Sequence, residues 1–239
     1  MVREAFTNRQ NNRSRLPWRA VLGGLVLGGL VFVGTGCASP PPGRIERVAA
    51  DMISFPAVVT ADRFERRLLG MPGYHYIVWS DGGAAPAALF QAAVSDVQVL
   101  EALQALGARP GNALGMETWE RREDPDAKAP EEIIQGPVVE VLVRVPGRRE
   151  PLTMDQILLD PGGRGFEMRF GGHRANIHHW HSGCVVCLYS CPGSKVGNAR
   201  YTVRDYVKDP ARFRVRPGVL PRDGTEVSIL LRLVKPGGS

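Results

Sequence analysis

The chain has 239 residues, a net charge of +6 at pH 7 and 44% hydrophobic residues. Five arginines against one glutamate put +4 of that charge in residues 1–36 and leave +2 for the rest, too little for the basic folded face that nucleic-acid binding needs. The roughly 200 residues beyond that leader suffice for one domain with a real core, or for two small ones.

The leader comes first. Arg3, Arg9, Arg13, Arg15 and Arg19 precede 17 uncharged residues, Ala20 to Gly36, and then Cys37. A basic start, an apolar stretch and small residues before a cut site make a secretory signal over residues 1–36. Arginines stay on the cytoplasmic side while the apolar stretch enters the bilayer. Gly34-Thr35-Gly36-Cys37-Ala38-Ser39 resembles the lipobox of bacterial lipoproteins, with Gly34 where that family usually has Leu or Val. The resemblance implies that Cys37 is lipidated and becomes the mature N-terminus. Ala38 rather than Asp after it implies sorting to the outer membrane in a Gram-negative cell. The alternative is an uncleaved spanning anchor, although the stretch falls short of the roughly 20 residues such a helix needs. Its six glycines also weaken it as a helix. Residues 37–50, with Pro40, Pro41 and Pro42 in a row, read as an extended tether.

Residues 51–236 are expected to form the globular domain. The segment 75–79 (HYIVW) predicts a strand closed by Asp81-Gly82-Gly83. Residues 87–108 carry apolar side chains at helical spacing, with a break at Ser95-Asp96, where Asp96 can cap a second helix that Gly107 ends. Residues 121–137 are polar and proline-punctuated, a surface loop. The alternation over 138–145 and 226–234 predicts two strands, and Phe166 to Phe170 a third. Thr153 can cap a short helix reaching Leu159, and another is expected over 202–207. Separated strands with a few helices give an α+β class: one mixed domain with a twisted, largely antiparallel sheet and a Cys/His-rich loop over 173–193.

That last segment carries the chemistry. Four of five histidines (His173, His178, His179, His181) fall within nine residues, and Cys184, Cys187 and Cys191 follow at once. Cys184-x2-Cys187-x3-Cys191-Pro192 matches the last three ligands of the bacterial ferredoxin run, and His181 stands where the first would be. Two residues between cysteines let a tight turn aim both sulfurs at one ion. Mixed imidazole and thiolate ligands suit tetrahedral zinc as well as iron. The candidate ligands are therefore His181, Cys184, Cys187 and Cys191, with His178 and His179 as further ligands or as donors that orient them. A disulfide between two of the three cysteines is the competing reading, and it leaves one thiol over. Lys195 is expected to be solvent-exposed, or else to attract an anion or lower a thiol pKa. No G-x-S-x-G elbow, H-E-x-x-H or dinucleotide fingerprint is present.

The mature chain also resembles the YdjY-like bacterial envelope lipoproteins, a ferredoxin-like group. The residues that carry this are Trp180 to Cys184, Cys187 to Lys195 and Tyr201 to Tyr206, with weaker similarity from about Ile53 to Gly111. The resemblance implies iron–sulfur binding through Cys184, Cys187 and Cys191. The expected cofactor is thus an iron–sulfur cluster or zinc. The expected partners are the membrane, through the lipid, and an envelope redox partner. The leader pulls against a cluster: one built in the cytoplasm must cross folded, and Arg13-Ser14-Arg15 is not the adjacent arginine pair of the twin-arginine route. The alternative function is a binding or assembly module whose Cys/His loop is a structural zinc site or a disulfide staple.

Overall fold

The computed structural model describes residues 43–65, 73–208 and 213–235, which belong to one compact unit. The leader, Cys37 and most of the tether lie outside the described residues. Among these residues no helix is long and apolar enough to cross a membrane.

In chain order the domain starts with β1 (Glu46–Ala49), β2 (Met52–Val59), α1 (Ala61–Glu65), β3 (His75–Trp79), β4 (Ala88–Ala92) and α2 (Asp96–Ala105). It continues with α3 (Glu117–Glu120), β5 (Val139–Arg144), β6 (Leu152–Thr153), α4 (Met154–Ile157), β7 (Leu158–Leu159), β8 (Met168–Phe170) and α5 (Arg174–Trp180). β9 (Cys184–Cys187), β10 (Val196–Asn198), α6 (Val203–Lys208), β11 (Arg214–Val215) and β12 (Glu226–Leu233) complete it.

Ten strands form one sheet in the order β6-β5-β12-β2-β4-β3-β9-β10-β8, with β1 also on β2; β11 and β7 pair separately. All pairings are antiparallel except β3–β4 and β9–β10. The sheet curls until β8 meets the segment entering β5, where Val138 bridges Arg169. The expected α+β class with a largely antiparallel sheet is what the chain adopts.

The spine is β2, paired to β12 along seven residues. Ile53, Phe55, Ala57 and Val59 alternate inward and are at most 2% exposed. Pro56 interrupts this pattern, and proline removes a ladder donor from a central strand. The sheet tolerates it because the second edge of β2 is shared. β1 covers Met52 to Ser54 and β4 covers Ala57 to Val59, so Pro56 falls in the gap. Its carbonyl accepts from Ala93 N at 3.0 Å on that edge, and its ring nitrogen faces the same way with no strand opposite.

The expected helix over 87–108 is half strand. Ala88–Ala92 forms β4, buried on both faces, where apolar spacing cannot separate helix from strand. The second half is α2, and its N-cap is Ser95 rather than Asp96. The Ser95 hydroxyl accepts from Gln98 N while the Gln98 side chain accepts from Ser95 N, a reciprocal capping box. Thr153 caps α4 in the same way with Gln156.

Tyr76 on β3 is fully buried, its ring edge-on to Phe90 at 5.2 Å, and its hydroxyl has no hydrogen-bond partner among the described residues. An unpaired buried hydroxyl costs about 1–3 kcal/mol of desolvation. Tyr76→Phe is therefore expected to stabilise the domain by about 1 kcal/mol, read as a higher denaturant midpoint at unchanged slope. A lower midpoint would mean that the hydroxyl has an acceptor.

Candidate metal centre

The thiols come together through sheet register. Cys184–Cys187 was expected in a tight turn within a loop but forms strand β9, where Val185 and Val186 favour extended backbone. Residues three apart on an ideal strand face opposite sides. β9 escapes this by irregular pairing with β3: His75 lies opposite Cys187, Ile77 opposite Val186 and Val78 opposite Cys184. The register shifts between His75 and Ile77 and again between Ile77 and Val78. At the second shift two steps along β9 match one along β3, and the extra residue turns Cys184 to the face of Cys187.

His75 Nδ1 lies 3.5 Å from Cys184 Sγ, and the ligand atoms of His75, Cys184 and Cys187 all lie within 4.8 Å of one another. This is the one such His/Cys/Asp/Glu group among the described residues. Cys184 and Cys187 are 0% exposed, Cys191 7% and His75 8%.

Cys191 arrives on the eight-residue connection between the parallel strands β9 and β10. That is short for a parallel crossover, which usually needs a dozen residues or more. Side chains and backbone hold it folded: Ser194 Oγ donates to Cys191 O at 2.8 Å, and Ser190 Oγ donates to Asn198 O at 3.0 Å while accepting from Ile134 N. All three thiols are free, and Cys187 hydrogen-bonds to both Cys184 and Cys191.

The Cys184 thiol is pulled down to about 5, first by its hydrogen bond with Cys187, against the effect of burial, and further by the His75 ring and the Lys195 charge. Burial pushes Cys187 up, and its bonds to Cys184 and Cys191 add to this. A thiol whose folded-state pKa is depressed stabilises the fold above its unfolded value, and that contribution is lost as pH falls through the folded value. The metal-free domain is thus expected to gain stability from about pH 5 up to its ordinary thiol value of 9.0. Above that, the raised Cys187 pulls the other way. Urea midpoints across this range in chelator check it, and Cys184→Ser should flatten the slope.

Of the other histidines proposed from sequence, His178 and His179 are exposed in the last turn of α5. His181 is its exposed C-cap at φ +47°. His173 caps the start of α5, accepting from Ala175 N. None of the four belongs to the buried group. The imidazole beside the thiols is that of His75, 109 residues before Cys184, which sequence reasoning passed over as a strand residue. The available signal was a lone histidine in an otherwise apolar strand, which demands a buried partner.

Lys195 is buried, not solvent-exposed as expected. Its side chain is 1% exposed and pairs with Asp96, 5% exposed, at 3.0 Å. Aromatic rings pack beside His75. Tyr74 stacks on His75 at 3.9 Å and meets Tyr206 at 5.1 Å and Trp119 at 6.2 Å. Gly82 and Gly183 bring two backbones together here: a Cβ on Gly82 would lie 2.5 Å from Ser182 O.

A curled α+β sheet with a Cys-x2-Cys-x3-Cys-Pro strand and turn defines the class, and the chain belongs to the YdjY domain family, matched over residues 48–232. It is similar to the uncharacterised protein YdjY of Escherichia coli (strain K12), at 28% identity over 162 residues, 67% of this chain and 68% of that protein. No solved structure matches.

Proposed function

We propose that the chain is an exported, lipid-anchored metal-binding protein of the cell envelope, holding one ion between His75, Cys184 and Cys187 with Cys191 completing the set. The observation that carries this is that the buried ligand atoms of His75, Cys184 and Cys187 all lie within 4.8 Å of one another, with Cys191 joined to them through its bond with Cys187. Tetrahedral zinc with bonds of about 2.3 Å to sulfur sets its ligands about 3.8 Å apart, so small adjustments close the site. An iron–sulfur cubane spreads its thiolates over separate irons and needs them farther apart. Three thiolates and one imidazole form a donor set that fits zinc, and complete burial is the pattern of a closed structural site.

Metal analysis of the full chain tests this. One zinc per chain without acid-labile sulfide is expected. Iron with sulfide would reject the single-ion form and restore the cluster. A disulfide with no metal would reject metal binding altogether. The lipid anchor is tested separately by the mass of the mature N-terminus, where a diacylated Cys37 is expected and an intact leader would overturn it.

The rings of Tyr74, Trp119 and Tyr206 favour one further reading, electron transfer with iron at the same four ligands. These half-buried rings form a cluster beside His75 at centroid spacings of 5.1–6.2 Å. Reversible loss of a visible charge-transfer band on reduction would support it.

A further inference from the structure

We propose that Lys195 is the counter-charge of the metal site, a positioning residue whose buried ammonium offsets the excess negative charge of the cysteine ligands. The inference rests on the metal reading above. Three thiolates around a divalent ion leave one net negative charge, and in a dry interior such a charge is costly.

The pair with Asp96 is too deeply buried to be explained by stability. Desolvating two ions costs several kcal/mol each, and apolar residues of similar volume usually serve as well or better. Lys195 Nζ also donates to Gly193 O at 2.9 Å, within the turn that carries Cys191. Its stem is clamped: a Cβ on Gly172 would come within 2.4 Å of Lys195 Cα and 3.0 Å of Cδ. Asp96 in turn is the first residue of the ten-residue helix α2, where its carboxylate accepts from Val97 N at 3.1 Å. Outward from the turn that carries Cys191 the order is ammonium, carboxylate, helix N-terminus.

The two halves of the pair then have opposite effects on the site, whereas a purely structural pair would give effects of one sign. The test is zinc affinity of the full chain in detergent, by competition with a chromophoric chelator, for wild type, Lys195→Met and Asp96→Asn. Unfolding midpoints of the metal-free forms are measured alongside. Lys195→Met is expected to weaken zinc by about 10–100-fold, the range for groups that act through ligands. Asp96→Asn is expected to bind at or above wild-type affinity, even where it lowers the midpoint. Wild-type affinity in Lys195→Met, or weakening in both variants, overturns the inference. Should Lys195→Met not fold, Asp96→Asn decides alone: affinity below wild type rejects the counter-charge. A wild-type chain that binds no zinc removes the metal reading and this inference together, whereas normal wild-type binding with an unaffected Lys195→Met removes only the second.

Discussion

His75→Ala is expected to strip the metal from the purified protein, lowering affinity by more than the 10–100-fold typical of groups that only orient ligands. The imidazole lies 3.5 Å from Cys184 Sγ and directly across the sheet from Cys187, so its removal leaves two thiols facing a cavity. Cys187→Ser should match it, because that thiol touches both other cysteines. The informative comparison is the combined replacement of His178, His179 and His181 by alanine. These side chains are exposed, and metal content should stay at the wild-type level. Metal lost in that variant and kept in His75→Ala would place the ion on the helix cap, and the buried group would not be the site.

The largest purely structural effect is expected at Arg204. Its side chain is 7% exposed and donates to Arg122 O at 2.8 Å, Asp124 O at 2.6 Å and Ala127 O at 2.8 Å. One guanidinium thus closes the proline-punctuated segment between α3 and β5, which has little regular structure of its own. Arg204→Met keeps the stem but leaves three carbonyls without that donor. At about 1 kcal/mol or more each, the loss is about 3 kcal/mol. In a domain of this size that lowers Tm by about 6–12 °C. A shift below about 2 °C would show that water replaces the guanidinium at no cost. Because α3, whose Trp119 meets Tyr74, leads directly into this segment, near-ultraviolet circular dichroism should change with it.

What could be read from sequence follows from how local each cause is. β5 and β12 were legible because their alternation lies in the chain itself, β3 because aromatic and β-branched residues run into an Asp-Gly-Gly turn, and α4 because a threonine and a glutamine three residues apart state its start. β2 was hidden by Pro56, harmless only because two other strands divide one edge between them. β4 was misread because strands buried on both faces lose the alternation that marks them. At the site the three cysteines were visible as a motif. Their shape was not, since the motif suggested a turn and the two valines inside it make a strand. For His75 the local signal was only a lone histidine in an apolar strand, and for Asp96 only a helix start; neither names its partner. Each meets its buried partner about a hundred positions away.

The bulged pairing of β3 with β9 also bears on when the site can come into being. A zinc finger gathers its ligands within one short stretch, so the ion can nucleate the fold. Here the imidazole and the thiols meet only after two strands 109 residues apart have found their register, and closing so long a loop is a slow step. A chain emerging unfolded on the far side of a membrane would assemble its sheet first and capture the ion afterwards. Occupancy would then certify a finished domain, and metal scarcity would leave folded chains waiting for cargo rather than chains unable to fold.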